Sequence, residues 1–200
     1  MVANPDITQF WDYFRVGGHS RVALENYTCS MESIKIVLGC VLAAVLYGII
    51  HDQFTARICV EYFTIFHPPI FTTQSPTLLG IGWGIVATWW AGSIVGLMLL
   101  IAARFGSRPQ LPASAIMPLV FRLMGVMAIC ALVFGAIGYF WAPIPRDAQV
   151  ALPPELHRRF LADWWAHSAS YGSGFLGGLV LCVIVWVKRS GPTYKDTKHV

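Results

Sequence analysis

The segment HDQFTARICVEYFTIFHP, from His51 to Pro68, concentrates side chains capable of chemistry within an otherwise apolar chain. It contains imidazole, carboxylate and thiol groups at His51, Asp52, Cys59, Glu61 and His67. Imidazole and carboxylate together suit zinc, iron or manganese. The segment is therefore the first place to look for a metal site.

Asp163 and His167 form a second polar pair, one helical turn apart, much further along the chain. If the two segments meet, Asp163 can orient the His167 ring by a hydrogen bond. The spacing matches no standard zinc motif such as HExxH. The candidate ligands for zinc, iron or manganese are His51, Asp52, Glu61, His67 and His167.

Two other binding chemistries fit the same residues. A haem could be held between His51 and His167, although four-helix membrane cytochromes usually carry several histidines inside their spans. A small transport or quinone-type pocket could use ionisable groups inside the membrane. That hypothesis predicts an apolar cavity that opens beside Glu61.

A structural role explains the same residues without a ligand. Arg57 and Glu61 are four residues apart and can form an ion pair. Asp52 would cap a helix, and the histidines would hydrogen-bond backbone carbonyls. The protein would then be an accessory or structural membrane subunit, as a homo-oligomer or beside a partner subunit. No GxSxG elbow is present, so an enzyme is not indicated, and no neighbour of Cys59 except Arg57 favours a reactive thiol.

The composition indicates a protein that is solvated by lipid. Hydrophobic residues make up 56% of the chain and charged residues 12%, whereas soluble domains carry about 25% charged residues. The mean hydropathy is +0.60. A net charge of +4 without a dense basic tract gives no indication of nucleic-acid binding. The cysteines show no paired spacing that would predict disulfides or a thiolate zinc site.

The apolar runs predict an all-α, integral membrane four-helix bundle. Each run is long enough to cross a hydrocarbon core of about 30 Å. The predicted membrane domain covers residues 31–190, between a cytoplasmic arm at 1–30 and a cytoplasmic tail at 191–200. The predicted spans are residues 33–50, 78–103, 116–142 and 166–187.

The connection between the first two spans is too apolar for a solvated loop and too short for a span. A helix from Thr55 to Phe66, ended by His67-Pro68-Pro69, would suit an interfacial or re-entrant position.

Small residues recur every four positions along the second predicted span, and others lie on one face of the fourth. Such ridges let another helix approach closely. The ridge of the second span is also the surface that a membrane partner would use in the structural reading. The predicted helix-packing positions are Gly80, Gly84, Thr88, Gly92, Gly96, Gly174 and Gly178.

The positive charges predict the orientation. Nine lysines and arginines fall on the side that holds both termini, and four fall on the other side. The positive-inside rule then places both termini in the cytoplasm of a multi-pass protein in the cell inner membrane. His51, Asp52 and His167 would lie at the outer ends of their spans.

The runs YGIIHDQFTARICVEYFTIFHPP, SPTLLGIGWGIVATWW and RFLADWWAHSASYGSG together resemble an uncharacterised family of small bacterial four-span membrane proteins. The signature of this resemblance is YGxxHDQxTARxCVEYFTIxHP. The resemblance covers most of residues 33–190. It implies a four-span bacterial membrane protein and brings no catalytic assignment.

Overall fold

The structure is a computed structural model that describes the backbone of residues 7–190 and the side chains of residues 30–190. The tail at 191–200 and the side chains of the predicted arm before residue 30 lie outside the described residues. All regular elements in the described range are helical. They are α1 (Ile7–Ile58), α2 (Val60–Ile65), α3 (Pro76–Val86), α4 (Trp89–Arg104), α5 (Ala113–Trp141), α6 (Arg146–Ala151), a 3₁₀ turn (Pro154–Leu156) and α7 (His157–Lys188).

Four helical stretches are long and apolar enough to cross a membrane, which confirms the predicted all-α membrane bundle with a short helix between the first two spans. They are Ser30–Ile58, Pro76–Arg104, Ala113–Trp141 and Pro154–Lys188. α1 packs against α3 and α4, and α5 packs against α7. The short helix between the first two spans is α2.

The first and fourth spans are longer than predicted, and this moves the polar residues inward. α1 continues past His51 and Asp52 to Ile58, which adds about 10 Å at 1.5 Å per residue. α7 begins at His157 rather than at residue 166. His51, Asp52 and His167 therefore lie inside helices rather than at helix ends. They also lie inside the stretches that are long and apolar enough to cross a membrane. Their predicted place at the outer ends of the membrane spans stays a prediction.

The second span is two helices rather than one. α3 ends at Val86 and α4 begins at Trp89. At the break, the Thr88 hydroxyl donates to the Gly84 carbonyl at 2.5 Å, and such a bond competes with the backbone ladder. The Ala87 carbonyl accepts a hydrogen bond from the Tyr171 hydroxyl of α7 at 3.1 Å. The break is thus stabilised by a neighbouring helix.

The glycine ridge of α3 and α4 lies directly against α1. A β-carbon at Gly84 would lie 2.5 Å from the Ile49 backbone, and one at Gly92 would lie 2.8 Å from the Cys40 carbonyl. Gly80 faces the Asp52 backbone and Gly96 faces Val37. α1 covers this ridge, so the ridge is not exposed to a partner subunit. The hypothesis that a membrane partner docks on the ridge was therefore wrong.

The two glycines of the fourth span also lie at helix contacts. Gly174 faces Met127 of α5, and Gly178 faces Val95 of α4. Thr88 occupies the space beside Gly48 of α1, where an added β-carbon would lie 2.5 Å from its Cγ2.

The helix predicted from Thr55 to Phe66 is interrupted at Cys59, which is extended with φ −147° and ψ 95°. The interruption separates Arg57 from Glu61 and removes the spacing of one helical turn. The Arg57 guanidinium instead donates to Gln53 and to the Thr77 hydroxyl, the latter at 2.8 Å. Within residues 30–190 no ion pair joins Arg57 to Glu61, so that prediction was wrong.

The opposite end of the bundle is held together by two charged side chains. Arg189 is buried, and its guanidinium donates to the carbonyls of Ala102, Phe105, Arg108 and Pro109. Glu32 accepts a hydrogen bond from the Ala113 amide at 2.8 Å, at the start of α5. A carboxylate at this position satisfies an amide that has no partner inside the helix.

We expect Gly84→Ala to destabilise the bundle by about 1–3 kcal/mol, because the added methyl group would overlap the Ile49 backbone. The matched control is Gly125→Ala in α5, where an added β-carbon meets nothing within 4 Å. Thermal unfolding in detergent, followed by circular dichroism, measures both variants. Equal melting temperatures for Gly84→Ala and Gly125→Ala would contradict the close approach of α3 to α1.

Candidate functional site

His51, Asp52 and His167 meet between α1 and α7. One ligand atom from each of the three side chains lies within 4.8 Å of the others. Asp52 is 5% exposed and His167 is 8% exposed, and His51 is partly buried. We call this set of three side chains the histidine cluster. It joins residues from the two sequence segments that carry the candidate ligands.

The hydrogen bonds of His167 determine how many protons the cluster holds. Its Nδ1 lies 2.8 Å from the Asp163 carbonyl, and because a carbonyl only accepts, Nδ1 carries a hydrogen. Its Nε2 lies 3.2 Å from Asp52 Oδ1. That contact requires one proton, either on the imidazole ring or on the carboxyl group. A metal ion bound between the two atoms would take the place of this proton.

His51 presents an unused nitrogen to the same region. Its ring stacks on Tyr47 with centroids 5.7 Å apart and meets the edge of the His167 ring at 4.6 Å. Its Nε2 is buried and has no hydrogen-bond partner among the described residues. Buried polar atoms are nearly always paired, so this nitrogen is available to a ligand.

α2 covers the histidine cluster with aromatic rings. The Tyr62 ring lies 4.6 Å and the Phe63 ring 5.6 Å from the His167 ring, measured between centroids. His67 follows α2 and packs against Trp83 at 4.6 Å. Its Nδ1 donates to the Tyr62 carbonyl at 2.8 Å. Burial lowers the pKa of His67, which favours a neutral ring with an accepting Nε2.

The remaining predicted site residues stand apart from the cluster. Glu61 accepts a weak hydrogen bond from the Cys59 thiol at 3.5 Å and does not line the cavity described below. His67 lines that cavity without joining the group of three. The Asp163 backbone carbonyl, rather than its carboxylate as expected, holds the His167 ring. The Asp163 carboxyl group is fully buried, and neither oxygen has a partner among the described residues.

A cavity of about 370 Å³ lies beside the histidine cluster between α1, α4, α5 and α7. Its polar end contains the three cluster side chains and His67, and the rest of the wall is mostly apolar. A second cavity of about 780 Å³ lies between α1, α5 and α7, where His51 and Asp163 contribute to its wall. Neither the first cavity nor the second one is lined by Glu61, so the prediction of a cavity that opens beside Glu61 was wrong; the first cavity lies beside Asp52 instead.

The geometry does not fit a haem between His51 and His167. An iron ligated by two histidines sits between the rings, and the porphyrin plane separates them. Here the two ring centroids are 4.6 Å apart and the rings touch edge to face. No porphyrin fits in that space, so the haem hypothesis was wrong for this pair.

Ser170 was expected on the same face of the fourth span as His167, whereas sequence reasoning missed Tyr47 and Tyr62, which also support the cluster. The Tyr47 hydroxyl and the Ser170 hydroxyl share a hydrogen bond of 2.8 Å that joins α1 to α7. Tyr47 precedes His51 by one helical turn, and Ser170 follows His167 by about one turn. The helical period could have placed Tyr47 on the same face as His51. Nothing in the sequence signals that Tyr62 folds back over His167, because the break at Cys59 sets that position.

Comparison with protein-family models, curated proteins and solved structures finds no match for the chain.

Cys59 lies at the break between α1 and α2 and is buried, with 1% of its surface exposed. Burial raises the pKa of its thiol to about 12. The thiolate is the form that reacts with electrophiles. The arrangement therefore offers no reactive thiol at this position.

We expect Cys59 to resist N-ethylmaleimide at pH 8 while the protein is folded and to react fully in denaturant. Its thiolate fraction would be about a thousandfold lower than that of a thiol with a pKa of 9. Mass spectrometry of the peptide that contains Cys59 measures the labelling, with glutathione as the reference thiol. Complete labelling of the folded protein within minutes would show that the break is open.

Proposed function

We propose that this chain is a multi-pass protein of a bacterial inner membrane that binds one divalent transition-metal ion inside its bundle. His51, Asp52 and His167 would hold the ion. Both termini would face the cytoplasm, in line with the excess of positive charge at the end of the bundle that holds Lys35, Arg104 and Arg189.

The main support for this proposal is that one donor atom from each of the three side chains lies within 4.8 Å of the others. Two imidazole nitrogens and one carboxylate oxygen suit zinc or iron. The buried Nε2 of His51, which no described residue satisfies, supplies a ligand that needs no rearranged hydrogen bond. The Asp163 carbonyl fixes the His167 ring through Nδ1 and leaves Nε2 for the ion.

The set leaves a coordination position for another molecule. Zinc sites with three protein ligands keep their fourth position for water or substrate, whereas structural sites are closed by four ligands. In this chain the cluster borders the cavity of about 370 Å³. A bound ion would therefore face the cavity, where it could polarise a carbonyl or hydroxyl group as a Lewis acid.

We expect the purified protein, stripped with a chelator, to bind one zinc ion per chain in a calorimetric titration. His51→Ala and His167→Ala should lose about a hundredfold or more in affinity. Asp52→Asn keeps the shape of the side chain and should also weaken binding. Titrations in buffers of different ionisation enthalpy should report release of about one proton per ion, because the ion replaces the proton between Asp52 and His167.

His157→Ala is the matched control for these variants. His157 is a buried histidine on the same helix, and its Nε2 bonds the Leu152 carbonyl away from the cluster. This variant should bind zinc as the wild type does. Helicity and gel-filtration profiles establish that each variant is folded. Absence of stoichiometric zinc in the wild type, or zinc retained by folded His51→Ala and His167→Ala, would refute the proposal.

A further inference from the structure

We propose that the cavity beside the histidine cluster binds a planar, uncharged, lipid-soluble molecule of the quinone class, which enters sideways from the bilayer between α4 and α7. This deepens the proposed function, since the polar end of the molecule would lie at the open position of the ion. Its binding, however, requires only the cavity.

The size and walls of the cavity fit such a molecule. Its volume of about 370 Å³ falls within the usual range of ligand pockets, about 300–1,000 Å³. Aromatic rings of Tyr62, Phe63, Trp83 and Trp90 contribute to the wall. Flat rings of this kind stack favourably on a planar ligand. The polar groups are gathered at one end, as an amphipathic ligand requires.

The cavity wall reaches the lipid-facing side of the bundle, and we take this part of the wall as its mouth. Its wall includes Trp90 and Ile94 of α4 and Tyr171 and Phe175 of α7. These four side chains are 43–57% exposed on the outer surface of helices that can cross a membrane. The Trp90 and Tyr171 rings stack across the mouth with centroids 6.5 Å apart. A molecule dissolved in the bilayer therefore reaches the cavity without crossing water.

Among the described residues, the wall of the cavity offers no lysine or arginine to a phospholipid headgroup, and it includes the Asp52 carboxyl group. In the protein without a bound ion, nothing in this wall neutralises the charge of a phosphate. An uncharged head group avoids that cost.

The hydrogen-bonding groups at the polar end match carbonyl and hydroxyl groups. His67 Nε2 can accept a hydrogen bond, because Nδ1 of the same ring already donates to the Tyr62 carbonyl. His51 contributes a second ring whose Nε2 is unpartnered. The reduced form of a quinone offers hydroxyl donors to His67 Nε2, and the oxidised form offers carbonyl acceptors to the His51 ring when Nε2 carries the hydrogen and no ion is bound.

The test uses menadione as the probe and the full chain in lipid nanodiscs. Menadione quenches tryptophan fluorescence, and saturable quenching separates a site from linear partition into lipid. Ala91 lines the cavity on α4, so Ala91→Phe should fill it and weaken saturable binding about tenfold or more. Leu97→Phe is the matched control, because Leu97 is 51% exposed on the same helix and does not line the cavity.

His67→Phe gives a second variant that retains a ring and removes the accepting nitrogen. It should weaken saturable binding of menadiol, the reduced form of the probe, about fivefold or more, because a menadiol hydroxyl can donate to that nitrogen. Only linear quenching in the wild type, or binding unchanged by both folded variants, would overturn the inference. Zinc titration of the same samples separates the two proposals. Zinc binding without saturable menadione refutes this inference alone, and saturable menadione without zinc refutes the metal site alone.

Discussion

The contact between Asp52 and His167 is the constraint on which the bundle depends. A carboxyl group and an imidazole ring are both nearly shielded from solvent and lie 3.2 Å apart inside helices that can cross a membrane. A buried charge costs several kcal/mol unless a partner compensates it. Since the partners belong to α1 and α7, the first and last spans must meet at this height. The second nitrogen of His167 is committed to its own helix, so a proton or a cation must occupy the contact.

The glycine ridge packs against α1 on a different side from α7. Gly84 and Gly92 let α3 and α4 approach the α1 backbone so closely that a β-carbon would not fit. α1 is therefore the central helix, with α3 and α4 on one side and α5 and α7 on others. Gly80 packs on the Asp52 backbone, and the Asp52 side chain contacts His167 of α7. The same residues that suggest a docking surface in the sequence thus pack inside the bundle.

The sequence predicts the number of spans and the class of the fold, because these depend on long apolar runs alone. Counting residues along the predicted spans also places His51, Asp52 and His167 at one height in the bundle. The sequence does not predict where the helices end. His51 and Asp52 come at the end of an apolar run, which predicts a helix end there, but α1 continues to Ile58. Sequence reasoning also misses the breaks at Cys59 and Thr88. The break at Thr88 is supported by the hydrogen bond from Tyr171 to the Ala87 carbonyl, a tertiary contact that no local pattern contains.

The two breaks shape the cavity. The break at Cys59 turns α2 back so that Tyr62 and Phe63 lie over His167. The break at Ala87 and Thr88 lies beside the mouth, where the Tyr171 hydroxyl binds the Ala87 carbonyl. Irregular backbone at membrane depth is tolerated where protein or a cavity surrounds it. Ala87 and Thr88 line the cavity directly, and the break at Cys59 is followed by Tyr62 and Phe63, which also line it.

The contrast between His157 and His51 argues against a purely structural cluster. His157 is a buried histidine whose Nε2 bonds the Leu152 carbonyl, as a histidine kept for packing should. His51 Nε2 and both oxygens of Asp163 are buried without partners among the described residues. An unsatisfied buried polar group costs about 1–3 kcal/mol. A bundle selected for packing alone would lower its free energy by replacing these groups with apolar ones. The proposed ion would satisfy His51 Nε2 at the cavity of about 370 Å³, whereas Asp163 lines only the second cavity.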